Sequence, residues 1–246
     1  MDHQFDPRST SANAVNTGAA RTAPDAGLRS YMLSVYNYMA SGVLLTGIIA
    51  LLFAPYAGQV LIAPNGGGMS GLGWIVTLSP LAFVFAMSFG VNRMRTSTLQ
   101  LLFWGFAAVM GLSMSTLFLV FTGVSIAQTF FATAAAYVGL SLYGYTTKRD
   151  LSGIGTFLIM GVVGLLVAML VNLFLQSGTM ALAISAIGVL LFAGLTAYDT
   201  QRIKSMYSQV AGSDMQGKVV IMGALSLYLD FINMFQFLLS FMGSRR

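Results

Sequence analysis

The stretch Ala224–Gly243, ALSLYLDFINMFQFLLSFMG, decides the fold. Nearly every position in it is apolar or aromatic, yet one aspartate, Asp230, stands in the middle. Taken from Val219 to Met242, the segment is long enough to cross the hydrocarbon of a bilayer, which requires about 20 apolar residues. Outward from it, the spacing of charges organises the rest of the chain. Arg29 and Arg93 bracket 63 residues without a formal charge, Ser30 to Asn92; Thr96 to Thr147 adds 52 more, and Leu151 to Tyr198 another 48. Each block accommodates two helical spans and a turn. With the terminal segment, the sequence predicts an all-α membrane protein of seven transmembrane helices.

Composition agrees and removes several alternatives. Of 246 residues, 57% are hydrophobic and only 8% charged, whereas a soluble domain carries roughly 25% charged residues. The chain has no cysteine, so disulfides and thiolate metal sites are excluded. Its one histidine, His3, lies in a polar N-terminal stretch, which leaves no basis for a zinc site or a Ser-His-Asp triad. The net charge of +5 is spread over short connections between apolar spans, a topology signal rather than a nucleic-acid surface.

Residues 1–28, rich in Ser, Thr, Ala, Asn and Pro without apolar periodicity, read as a disordered cytoplasmic tail, and residues 29–246 as the membrane domain. The tail is too long and polar a lead for a signal peptide. The expected spans are Tyr31–Ala54, stopping at Pro55, then Trp74–Phe89, Leu101–Phe121, Ile126–Tyr145, Gly155–Leu175, Ala181–Tyr198 and Val219–Met242. Cations occupy the tail and alternate connections: Arg93 and Arg95, Lys148 and Arg149, then Arg202, Lys204 and Lys218. The connections between them carry none. The positive-inside rule therefore puts the N-terminus in the cytoplasm. Seven spans put the C-terminus outside, against the pull of Ser244-Arg245-Arg246; a re-entrant last segment is the alternative. Small residues four apart, such as Ala107, Gly111 and Ser115, suit close helix packing in lipid.

All seven acids are aspartates. Asp2, Asp6, Asp25, Asp150 and Asp214 fall in the tail or in cationic connections and read as solvated charge. Asp199 closes the sixth span, and Asp230 lies about 16 Å along the seventh at 1.5 Å per residue. A charged side chain at that depth costs at least about 2.5–3.5 kcal/mol, which makes an intramembrane acid a functional candidate. The two spans form a hairpin, so their carboxylates can approach. Two carboxylates held together in low dielectric do not both ionise easily; they share a proton. Such a pair attracts a hard cation when ionised or responds to pH. Asn233, on the same helix face as Asp230, and Tyr198, beside Asp199, are candidate supporting hydrogen-bond partners. An arginine bonded to Asp199 would tie two helices together until acid released it.

The motifs TAYDTQRIK (196–204) and ALSLYLDFINMFQFLL (224–239) resemble those of the Bax inhibitor-1, or transmembrane BAX inhibitor motif, family. YMLSVYNYMASGVLLTGIIA (31–50) and NRMR (92–95) resemble its bacterial branch, and the resemblance extends over nearly the whole chain from about residue 29. It implies seven helices with the last one central, wrapped by the other six. It also implies a pH-sensitive calcium leak in the bacterial inner membrane, with calcium as the transported ion and no resident cofactor. The family's paired aspartates match Asp199 and Asp230. Its gating arginine best matches Arg93, counted back from Gly111-Leu112-Ser113, with Arg95 two residues on as the alternative.

Two other classes compete. An intramembrane aspartyl protease also pairs a Tyr-Asp helix with a second aspartate, but LYLD at 227–230 lacks the two glycines of that second motif. A regulatory protein that binds a membrane-bound ATP-dependent protease is the other alternative, with the N-terminal tail as its handle.

Overall fold

The seven uncharged segments all become helices, and the last of them lies at the centre. The computed structural model describes residues 16–64 and 68–246, with side chains from residue 26 onward. The helices are α1 (Asn16–Leu61), α2 (Gly71–Gly90), α3 (Thr96–Met114), α4 (Leu117–Val120), α5 (Gly123–Thr146), α6 (Ser152–Leu175), α7 (Gly178–Val210) and α8 (Met215–Met242). Seven stretches are long and apolar enough to cross a membrane, with α3 and α4 together forming one, Thr96–Val120. Their outer surfaces are dense in exposed apolar side chains, for example Leu52, Phe89, Leu101, Phe174 and Leu190. In lipid this is the expected solvent-facing surface, because a helix satisfies its own backbone and has only side chains to match to the hydrocarbon.

Several helix ends differ from the sequence expectation, for one reason: loss of hydrophobicity marks where a helix leaves the hydrocarbon, not where it stops. Helix α1 passes through Pro55 to Leu61; a membrane helix tolerates the lost donor because neighbouring groups satisfy the freed carbonyl. At its other end α1 begins at Asn16, so residues 16–28 of the expected tail are helical. The remainder of that tail, 1–15, lies outside the described residues. Helix α7 continues well past Tyr198 to Val210, which puts Arg202 and Lys204 on the helix rather than in a connection. Its 33 residues extend about 50 Å, longer than the roughly 30 Å hydrocarbon, so its last turns project beyond it. The third span breaks where the hydroxyls of Ser115 and Thr116 donate back to the carbonyls of Leu112 and Ser113, at 2.6 and 2.8 Å. Such back-bonding competes with the helix ladder and bends it.

The connections explain the alternating ends. At the end away from the cations, α2, α5 and α7 each start behind a hydroxyl cap: Ser70 accepts from Gly73 N, Thr122 from Ser125 N and Ser177 from Met180 N. These caps satisfy donors that would otherwise be stranded at the membrane surface. The C-terminal residues lie at this same end. Ser244 N donates to Ser125 Oγ at 2.9 Å, its carbonyl accepts from Thr122 N, and Arg246 N donates to Val120 O. Helix α8 therefore crosses the bundle completely rather than re-entering.

Burial identifies α8 as the hub. Of its apolar window 72% is buried, against 44% for α7 and 11% for α6. It packs on α7, α1, α5 and α3, while α6 sits outside on α7 and α2 outside on α3 and α1. The expected wrap of six helices is thus an inner ring of four with two peripheral helices.

Candidate functional site: the buried acid pair

The α7–α8 hairpin has one antiparallel register, read from three contacts. Gly188 lies under the Phe237 ring, Asp199 meets Ser226, and Ile203 packs on Gly223. Continued, this register places Leu195, not Asp199, level with Asp230. The two carboxyl-bearing residues are therefore staggered by four positions, about 6 Å along the axis. Both face the interior, Asp199 at 8% exposure and Asp230 at 4%. Asp230 lies close to the midpoint of the 28-residue α8. Asp199 lies eleven residues before the end of α7, well inside the helix rather than at its close.

Their surroundings differ. Asp199 Oδ2 accepts a 2.6 Å hydrogen bond from Ser226 Oγ, a residue one turn before Asp230 on the same face of α8. Among the described residues, Asp230 Oδ2 is buried without a protein partner. So are the hydroxyls of Tyr137 and Ser141 on α5 and of Thr200 on α7. Tyr137 is held against α8 by edge-to-face packing on Phe231, the residue after Asp230, with ring centroids 5.5 Å apart. Close approach between α5 and α7 is possible because a Cβ at Gly144 would fall on the carbonyl oxygen of Ala197. The acids, the two α5 hydroxyls and Thr200 are thus gathered where three helices meet.

The structure brings together two of the residues singled out by sequence and leaves four apart. Tyr198 turns away from α8, and its ring covers Gly155 of α6. Asn233 donates to its own helix, Nδ2 to Leu229 O at 2.8 Å, rather than to a carboxylate. Arg93 and Arg95 are both exposed in the α2–α3 turn and make no side-chain hydrogen bond to either aspartate. Ser226, Tyr137, Ser141 and Thr200 were missed. Ser226, four residues before Asp230, was accessible to the same helix-face reasoning that selected Asn233 three residues after it. The α5 residues had a weaker signal: Ser125, Thr129, Thr133, Tyr137 and Ser141 recur every four positions on an otherwise apolar helix.

Two openings approach this core from opposite ends. At the cationic end a groove of about 570 Å³ runs between α1 and α5, with Arg29 and Tyr36 on one wall and Tyr137, Ser141 and Tyr145 on the other. At the far end a vestibule of about 800 Å³ is lined by Asn172, Gln176, Ser177, Ser185, Ser240 and Phe237 among others. Phe237 stacks on Phe192 with centroids 5.8 Å apart. This aromatic pair lies two turns, about 10 Å, from Asp230 along α8.

Among the described residues no three His, Asp or Glu side chains converge on a point. Two carboxylates and a few hydroxyls fall short of the six to eight oxygens that hold calcium tightly.

Fold and site together define a multi-pass α-helical membrane protein with a pair of buried aspartates on its last two helices. The chain belongs to the Bax inhibitor-1 family: the family model described as "Inhibitor of apoptosis-promoting Bax1" matches residues 28–246. A protein of Rickettsia prowazekii strain Madrid E is 48% identical over 225 residues, 90% of this chain and 92% of its own length. One from Caulobacter vibrioides is 44% identical over 248 residues, 95% of this chain and 99% of its own. The inner membrane protein YbhL of Escherichia coli K12 is 43% identical over 226 residues, covering 91% and 95%.

Proposed function

We propose that this protein is a pH-sensitive cation leak of the bacterial inner membrane, passing calcium, with Asp199 and Asp230 as its proton-sharing sensor. The observation that carries the reading is the pair itself. Two buried carboxylates lie on adjoining helices at the centre of a lipid-embedded bundle, one hydrogen-bonded and one with an unpartnered oxygen. Two such groups do not both ionise in low dielectric without a proton or a cation between them. The inner-membrane assignment draws on the name of the Escherichia coli relative and the cytoplasmic N-terminus on the clustering of cations at one end.

In this reading the vestibule is the outer mouth, and the Phe192–Phe237 stack is the constriction that closes it. Arg93 and Ser226 are alternative partners of Asp199: Ser226 holds the carboxylate in the arrangement described, and Arg93, in the turn after peripheral α2, reaches it only when that turn moves inward. Acid removes the charge for which they compete.

The test is calcium entry into liposomes with a trapped indicator, followed as the pH is lowered from about 8 to about 6, on either side of the neutral point at which a tuned acid works. Wild type is compared with Asp230→Asn and Asp199→Asn, which keep shape while removing charge. A pH-dependent flux that either variant flattens supports the sensor. Protein-containing and empty vesicles leaking alike at every pH would sink the leak. Within a working assay, Phe237→Ala raises the flux at all pH values, whereas Arg93→Gln raises it only at neutral pH and Arg95→Gln leaves it unchanged.

A further inference from the structure

Helix α5 carries a row of hydroxyls along one i, i+4 ridge, Ser125, Thr129, Thr133, Tyr137 and Ser141, all turned into the bundle. The two halves of the row are not equivalent. Toward the vestibule end two of the groups have partners: Ser125 Oγ accepts from Ser244 N, and Thr133 Oγ1 donates to the Thr129 backbone carbonyl at 2.8 Å. Toward the cationic end they have none. Tyr137 OH and Ser141 Oγ are buried without a protein partner at 5% and 6% exposure, as are Thr200 Oγ1 and Asp230 Oδ2. Native interiors leave few such groups, and those that remain are served by ordered water with two to four polar neighbours. Tyr137 and Ser141 also form the inner wall of the α1–α5 groove, which opens at the cationic end beside Arg29.

We propose that Tyr137 and Ser141 are positioning residues for a file of internal waters that joins the α1–α5 groove to Asp230 and delivers its proton from the cationic side. The inference rests on the acid pair taking up a proton, but not on any ion passing. A hydronium in the groove gives its proton to the first water. Each oxygen along the file then breaks one O–H bond as it forms the next, and the last proton lands on Asp230 Oδ2, leaving neutral water behind. The other polar groups around Asp230 come from α7, α8 and α1, the Thr200 hydroxyl and the Asp199–Ser226 pair among them. On α7 it faces Asp199, with exposed Arg202 a turn beyond; on α8 the hydroxyl of Tyr228 is taken up by Thr46 of α1; α3 presents only the rings of Phe103 and Phe106. On α1, Tyr36 lines the groove itself.

The experiment uses the full chain in liposomes and reads the carboxylic C=O stretch by infrared difference spectroscopy. The band is assigned by its loss in Asp230→Asn and timed as it shifts after exchange from light to heavy water. The double variant Tyr137→Phe, Ser141→Ala slows this exchange about tenfold, a barrier change of about 1.4 kcal/mol. Ser141→Ala alone slows it less, while the titration midpoint of the band moves little. Thr133→Val, whose hydroxyl is already bonded within α5, leaves the rate unchanged. An unchanged rate in the folded double variant, with the band present, overturns the water file and leaves the acid pair standing. No protonated band at any pH overturns both. Loss of calcium flux with normal exchange breaks the leak reading alone.

Discussion

Helix α8 shows two faces to the bundle, and they treat polar groups in opposite ways. Toward α1 and α3 the fully buried hydroxyls are closed off by protein. Thr46 Oγ1 donates to the Ala107 carbonyl at 2.8 Å and lies 2.6 Å from Tyr228 OH. Tyr31 OH donates to Ile203 O at 3.2 Å, and Gln100 Nε2 to Tyr38 OH at 2.6 Å. Tyr228 is packed edge-on by Phe103 and Phe106, and a Cβ on Gly111 would fall 2.7 Å from the Thr46 carbonyl oxygen. Toward α5 and α7, four buried polar atoms lack a protein partner among the described residues. In hydrocarbon an unsatisfied polar group costs several kcal/mol, so the sealed face of the central helix contributes to stability and the open face does so less.

That contrast can be broken by stability measurements on the reconstituted or detergent-solubilised protein. The largest effect belongs to Gly111→Leu, which overpacks the α1–α3 contact and lowers unfolding stability by about 3 kcal/mol. Thr46→Val comes next, because it strands the Tyr228 hydroxyl as well as removing two bonds, at about 1–3 kcal/mol. Tyr228→Phe removes one interhelical hydrogen bond and leaves Thr46 its Ala107 carbonyl, for a loss of about 0.6–1.7 kcal/mol. Tyr137→Phe, on the open face, deletes a hydroxyl that has no protein partner and changes stability by less than about 0.5 kcal/mol, or raises it. The last two substitutions are chemically identical, one on α8 facing α1 and the other on α5 packed against the opposite side of α8. Equal losses from both would show that the faces do not differ.

Much of this architecture was legible in advance because lipid imposes a simple rule: a span must be apolar and must satisfy its backbone internally. Three uncharged blocks and a terminal segment led directly to seven crossing helices, and the two intramembrane aspartates stood out against their background. The same rule explains the errors. Apolarity reports the hydrocarbon, so α1 and α7 run past the ends that Pro55 and Tyr198 suggested. The site was legible as a pair but not as a neighbourhood. Tyr198 and Asn233 were chosen by proximity in sequence, and helix rotation turned one onto Gly155 and the other onto its own backbone.

By itself, then, the sequence determined what the membrane must accept: the number of spans, the ends that carry cations, and the two acids inside. These follow from transfer of each side chain between water and lipid, a property of one helix at a time. Only the tertiary structure decided which faces meet. The four-residue stagger of the carboxylates, the pairing of Asp199 with Ser226, and the open seam of α5 hydroxyls against α8 depend on rotation and register among helices. In lipid those are set by close packing at positions such as Gly144, Gly188 and Gly223. Hydrophobicity, nearly uniform along these spans, carries no record of them.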